Sequence, residues 1–469
     1  MTKTDFNSLL HRTDEKFQKC WEILGTLKTK PNKSLQLFQP MLCDALFDLS
    51  NSYRVISQER KRLISKKQEL SPSWFSKRQK LLASRQEAIV QAGAIGRTMG
   101  DSFAWLLYRN DLNLLEQHLK HIETSHMPPG FGGLGEKEFV RGVPRIGNFI
   151  VLYHGATSIL RLGDVSLIDV KSFRVVGIGE LKTTPKKPGE LLITLLVIGN
   201  KELLPAESVI KIPSSTNTSV SDFSPAMKAR LDRQIDRTVK AISSSHVTKE
   251  GSQMSMRVET YVLEFEKMLR GARVGRFSYA QFGPGLLCVV YRHRKRNLRS
   301  VLLPDKQIDF TKKLDDLSRH TLKIVLPDSL HNCIDICSLI YRRNGATRFQ
   351  LGTLPVFWWP LKTDTIKKLI FQELAVFTIY NPAHFISKME AAGFTVTFED
   401  ERTFNIEYTL KNKRFSVMGL PYFLGLICFY FYKEDEVIDM INRGITAIDE
   451  ANLRPNTKCK FRFDQLPCF

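Results

Sequence analysis

The chain has 469 residues, 43% of them hydrophobic and 25% charged, a composition that folds into two or three globular domains and excludes a disordered polymer. Lys and Arg number 69 against 48 Asp and Glu, a formal net charge of +21. Such a charge favours polyanionic partners, nucleic acid above all.

Residues 1–125 read as helical. Apolar residues recur at spacings of three and four over 35–67 and 74–97, and Ser71-Pro72 supplies a cap and first-turn proline between the two runs. Basic residues flank that break: Arg60, Lys61, Arg62, Lys66 and Lys67 before it, Lys77, Arg78 and Lys80 after it. A solvated helical face and a track for phosphates are both open for this run.

Residues 126–250 change character. The glycine- and proline-rich stretch 126–135 is expected to be a loop. It is no phosphate-binding Walker loop, because Glu136 stands where the lysine belongs. Short apolar runs at 149–153, 158–161, 164–169, 173–182 and 191–198 predict strands, and a patterned helix is expected over 224–244. Helix, adjacent strands and helix make an α/β core with a mixed sheet.

Within this part the run LRLGDVSLIDVKSFRVVGIGELKTT, residues 160–184, carries the chemistry. Asp164 opens one strand, a turn near 169–172 reverses the chain, and Glu180 ends the returning strand. The hairpin brings the two carboxylates together, and alternation puts Glu180 and Lys182 on one face. Two carboxylates with the Leu181 carbonyl between them form an oxygen-rich site suited to Mg2+ or Mn2+. Lys182 is placed to orient water or to offset charge developing on a phosphate. An ordinary exposed pair at a hairpin end is the plain alternative. Charges that interrupt an apolar strand nevertheless call for a partner or a function. His154 and Arg161 lie nearby and are left outside the catalytic set.

This pattern resembles the PD-(D/E)xK superfamily, the restriction-endonuclease-like nucleases, over roughly residues 130–245. Asp164 followed by Glu180-Leu181-Lys182 matches its acid and Glu-x-Lys, with Gly163 in place of the usual proline. The resemblance implies an acid on the preceding helix, Glu136 with Glu138 as second choice, and a residue on the following helix, Gln234. It implies a restriction-endonuclease-like core, a metal-dependent endonuclease acting on double-stranded DNA, and a role in prokaryotic restriction or phage defence. The alternative is a non-catalytic nucleic-acid-binding or scaffold protein that retains the fold. A homo-oligomer or a partner ATPase remains open.

Residues 251–469 read as an α/β accessory or interaction domain. The loop bearing Arg292, Arg294, Lys295 and Arg296 is either a phosphate-contacting element or a solvated hairpin tip. Trp358 and Trp359 read as core or interface. Residues 415–432 are nearly all apolar, but Pro421, two glycines and the amphipathic run that follows favour a buried element over a membrane span. Eight cysteines without CxxC or zinc spacing, and a polar N-terminus, lead to the expectation of a cytoplasmic protein.

Overall fold

A computed structural model describes residues 2–29, 33–121, 126–187, 190–199, 208–211, 233, 259–294, 298–302, 335–338, 355–398, 404–417 and 420–450. The chain is mixed α/β and divides into two compact units. One comprises residues 1–250 with 296–303 and 343–358; the other comprises 251–295, 304–342 and 359–469.

The first unit begins with helices α1 (Lys3–Gly25), α2 (Phe38–Ser65), α3 (Pro72–Tyr108) and α4 (Leu112–Leu119). The break before α3 is as expected: Ser71 Oγ accepts the Trp74 N–H and Pro72 occupies the first turn, where no amide donor is needed. Phe6, Leu10 and Phe17 of α1 are buried, as are Leu42 and Leu46 of α2 and Leu82, Ile89 and Met99 of α3. Gly96 admits the close approach of the three helices, since a Cβ there would lie 2.8 Å from the Phe17 ring and 3.0 Å from Leu46.

Helix α5 (Gly130–Gly142) and a six-stranded sheet complete this unit. The strands are β1 (Arg145–Ile146), β2 (Phe149–Tyr153), β3 (Val165–Asp169), β4 (Val175–Lys187), β5 (Glu190–Gly199) and β6 (Ser208–Lys211). They lie side by side in sequence order, and every pairing is antiparallel. This corrects the expected mixed sheet for the described strands. A parallel pair needs a crossover of a dozen or more residues, and each strand here pairs antiparallel with its predecessor. The β3–β4 turn is closed by Asp169, whose Oδ2 accepts the Ser172 amide at 2.9 Å and its hydroxyl at 2.7 Å.

Two further expectations are corrected. Residues 158–161 form no strand, because their amides are claimed by side chains. Asp101 Oδ1 accepts the Ser158 and Ile159 N–H groups at 2.6 and 3.2 Å, Thr157 Oγ1 takes that of Leu160, and His118 Nδ1 takes those of Arg161 and Leu162. The glycine-rich stretch is not wholly a loop, since α5 starts at Gly130. Glycine is a poor helix former in isolation, but here it lets the helix lie against β4: a Cβ on Gly135 would sit 1.9 Å from Thr183 Oγ1.

The second unit holds a four-stranded antiparallel sheet in the order β7 (Phe277–Phe282), β8 (Leu286–Arg292), β10 (Leu374–Tyr380), β9 (Asp335–Ser338). All seven residues of β10 are buried, with Leu287, Val289 and Tyr291 of β8 packed beside Ala375, Phe377 and Ile379. A separate meander joins β11 (Thr395–Phe398), β12 (Phe404–Leu410) and β13 (Lys413–Val417). The apolar run 415–432 is divided between the end of β13 and the 11-residue helix Leu420–Tyr430. At 1.5 Å per residue that helix is about 16 Å long, roughly half a bilayer core. Among the described residues no helix is long and apolar enough to cross a membrane. The amphipathic run after it forms the helix Glu434–Glu450.

Candidate active site

The adjacent strands β3 and β4 bring the sequence-predicted acids together. Asp164, immediately before β3, donates its N–H to Gly179 O at 2.8 Å and accepts the Leu181 N–H on Oδ2 at 2.7 Å. In an extended strand the N–H and C=O of one residue point to the same edge, so the Leu181 carbonyl faces the gap beyond the start of β3. Glu180 pairs with Leu196 of β5 and is only 4% exposed, and its Oε2 lies 3.3 Å from Lys182 Nζ.

Gly163 gives this corner its geometry. Its φ is +67°, and a Cβ would lie 2.6 Å from Ile178 Cγ2 and 2.9 Å from Gly179 O. Proline, which the resemblance would place there, is locked near −65° and cannot make this turn.

Glu136 reaches the same acids from α5. Its Oε2 accepts the hydroxyl of Tyr153 at the end of β2. Burial, then the charge of Asp164, pushes the Glu136 carboxyl up to about 8, while the Tyr153 hydroxyl partly opposes the rise. Burial and then Asp164 likewise push Glu180 up to about 7, against the pull of Lys182. Glu138 does not belong to this group; it is exposed and pairs with Arg141 at 3.1 Å. Gln234 lies outside the described residues, as does all of the helix expected over 224–244 except residue 233.

Tyr153 was not singled out in the sequence, although it ends the 149–153 strand. Gln39 carried no signal. It accepts the Tyr153 N–H at 2.8 Å and donates to Val151 O at 2.8 Å, so a helical residue 114 positions away holds the end of β2.

No family model, curated protein or solved structure matches the chain.

Behind the acids lies a neutral polar chain whose hydrogen-bond directions are fixed by its ends. His118 Nδ1 accepts two backbone amides at 3.0 Å, so its proton sits on Nε2 and is donated to Tyr108 Oη at 3.0 Å. Tyr108 then donates to Ser166 Oγ at 2.5 Å, and Ser166 donates to His154 Nε2 at 2.6 Å. His154 Nδ1–H donates to Gly163 O at 3.0 Å. Burial lowers His118 well below the usual histidine range and His154 to about 4, in keeping with two uncharged rings. The chain ends on the peptide that delivers Asp164, and both ring nitrogens of His154 are engaged within it. Tyr108→Phe removes both links made by the hydroxyl and leaves a buried donor on His118 without its acceptor. It is expected to cost about 1–3 kcal/mol in urea unfolding; an unchanged midpoint would show that the chain carries no stability. Arg161 is similarly occupied, donating to Ser158 O, Leu119 O and His121 O.

The basic loop of the second unit divides. Arg292 is half-buried and held by Glu373 at 3.1 Å and by the Ala272 carbonyl, so β8 retains it. Arg294 is exposed, and Lys295 and Arg296 lie outside the described residues. Trp358 is buried and donates its indole N–H to Ser102 O, and Trp359 is 8% exposed; neither is available for base stacking.

Among the described residues no three His, Cys, Asp or Glu side chains converge on one ion position. Mg2+ is commonly held by one or two carboxylates with water filling the remaining positions, which Asp164, Glu180 and the Leu181 carbonyl satisfy. Burial first and the charge of Asp164 second raise the carboxyls of Glu136 and Glu180, and a nearby cation would favour their charged forms.

Proposed function

We propose that the chain is a metal-dependent nuclease of the PD-(D/E)xK type, hydrolysing phosphodiester bonds of DNA. The observation that carries the reading is the convergence of Asp164 and the Glu180-Leu181-Lys182 strand end, joined by the hydrogen bond from the Leu181 amide to Asp164 Oδ2. Asp164, Glu180 and the Leu181 carbonyl would hold Mg2+ or Mn2+. The bound ion supplies polarisation of a phosphoryl oxygen and a lowered pKa for the attacking water. Lys182 stands beside Glu180 to offset the charge that grows on the phosphate. Glu136, whose proton affinity is raised into the neutral range, is matched to accept the proton of the attacking water, and Tyr153 fixes its orientation.

Purified chain incubated with plasmid DNA and millimolar Mg2+ is expected to nick or linearise it, with activity lost in chelator and restored by Mg2+ or Mn2+. Neither DNA nor RNA being cut with either metal would defeat the hydrolase and favour a nucleic-acid-binding protein that keeps the site's architecture alone.

A further inference from the structure

The acidic centre offers a polyanion little attraction by itself, because its one lysine, Lys182, is offset by Glu180 and Asp164 beside it. The attraction has to come from elsewhere, and the hairpin of α2 and α3 has the charge for it. Residues 61–80 contain seven Lys or Arg and one acid, Glu69. Arg78 is paired with Glu59, but Lys61, Arg62, Lys66, Lys67, Lys77 and Lys80 are all exposed.

The hairpin is a stiff arm, not a loose loop. Ile56 and Leu63 of α2 and Leu82 of α3 are buried along it, and polar ties cross between the helices: Arg60 Nε to Gln79 Oε1 at 3.2 Å and Gln86 Nε2 to Ser57 Oγ at 2.6 Å. Its base is fixed to the site, because Asp44 of α2 pairs with Lys137 and Arg141 on α5, the helix of Glu136. From Asp44 to Lys66 the rise of 1.5 Å per residue gives about 33 Å. One turn of B-form DNA is about 34 Å.

We infer that the tip of this hairpin is a phosphate-binding arm that grips duplex nucleic acid about one helical turn from the acidic centre. The placement of the duplex rests on the nuclease reading; the binding itself does not. The exposed Trp74 and Ile64 at the same tip would also suit an anionic lipid surface. The matched spacing and the charge-deficient centre in the same unit favour the duplex.

The test compares full-length wild type with the variant Lys66→Gln, Lys67→Gln, Lys77→Gln, Lys80→Gln. Binding to a fluorescent duplex of about three turns is followed over a salt series in chelator, so that no cleavage intervenes. These side chains are exposed, and an unchanged thermal unfolding curve confirms a folded variant. The variant is expected to bind roughly tenfold or more weakly, with the log–log salt slope reduced by about 3 to 4, the counterions released by four phosphate contacts. Equal slope and affinity in the two proteins would overturn the arm, as would wild type binding phosphatidylserine vesicles but not the duplex. Duplex binding lost in the variant, with no cleavage by wild type under any metal, upholds the arm and defeats the nuclease. Cleavage by wild type with unaltered binding in the variant defeats the arm alone.

Discussion

Glu180→Gln is expected to abolish cleavage and at the same time stabilise the fold. On the proposed nuclease reading, Glu180 is one of the two carboxylates that would hold the metal, so its loss should lower cleavage on the order of a thousandfold. The stability gain follows from burial. The unfolded chain releases the Glu180 proton near pH 4.5, the folded chain only near pH 7. Between those values folding takes up a proton, so each step upward in pH costs stability, and the loss is complete above about pH 7. For a carboxyl this deeply buried the cost is on the order of 3 kcal/mol. Glutamine keeps the shape and does not titrate, and Lys182 still has the negative charge of its neighbours beside it. Melting curves of the two proteins should coincide near pH 4 and separate as pH rises through neutrality, with the variant the more stable. A variant less stable than wild type at about pH 8, or a difference that ignores pH, would mean that Glu180 is an ordinary ion-pair partner of Lys182. A stabilising loss-of-function substitution is the signature of a site whose charges serve something other than folding.

The acids of this site were legible because they are local. Asp164 and Glu180 lie on adjoining strands of one hairpin, and alternation along β4 fixes the relation of Glu180 to Lys182 whatever surrounds them. The cap at Ser71-Pro72 was readable for the same reason. Features set by distant contacts were not. Residues 158–161 look like a strand until Asp101 and His118 take their amides, and Gln39 reaches β2 across more than a hundred residues. The antiparallel order of the whole sheet was hidden as well, because an apolar run states that a strand is buried and not which neighbour it pairs with. Gly163 carried a meaning that the family pattern obscured: the position calls for a left-handed turn.

The glycines of α5 offer the sharpest contest between local propensity and tertiary packing. Ala is a better helix former than Gly by about 1 kcal/mol, so a helix containing Gly132, Gly133 and Gly135 looks improvable at each. At Gly132 nothing lies within 4 Å of an added Cβ. Gly132→Ala should therefore stabilise the chain by about 0.5–1 kcal/mol in urea unfolding and leave cleavage unaltered. At Gly135 the added Cβ would meet Thr183 Oγ1 at 1.9 Å, Cγ2 at 2.5 Å and Cβ at 2.7 Å. Overpacking of this kind costs about 1–3 kcal/mol and outweighs the propensity gain. Since Thr183 follows Lys182 directly and Glu136 follows Gly135, the strain falls on both walls of the site, and Gly135→Ala should lower cleavage as well as stability. Adding Thr183→Ala removes the two closest clashes but leaves the contact with Thr183 Cβ, so the double variant should recover part of the loss and no more. Two penalties that simply add would show that α5 and β4 yield independently. A partial rescue in both unfolding and cleavage would instead make their close approach the dimension that sets the distance from Glu136 to Asp164 and Glu180.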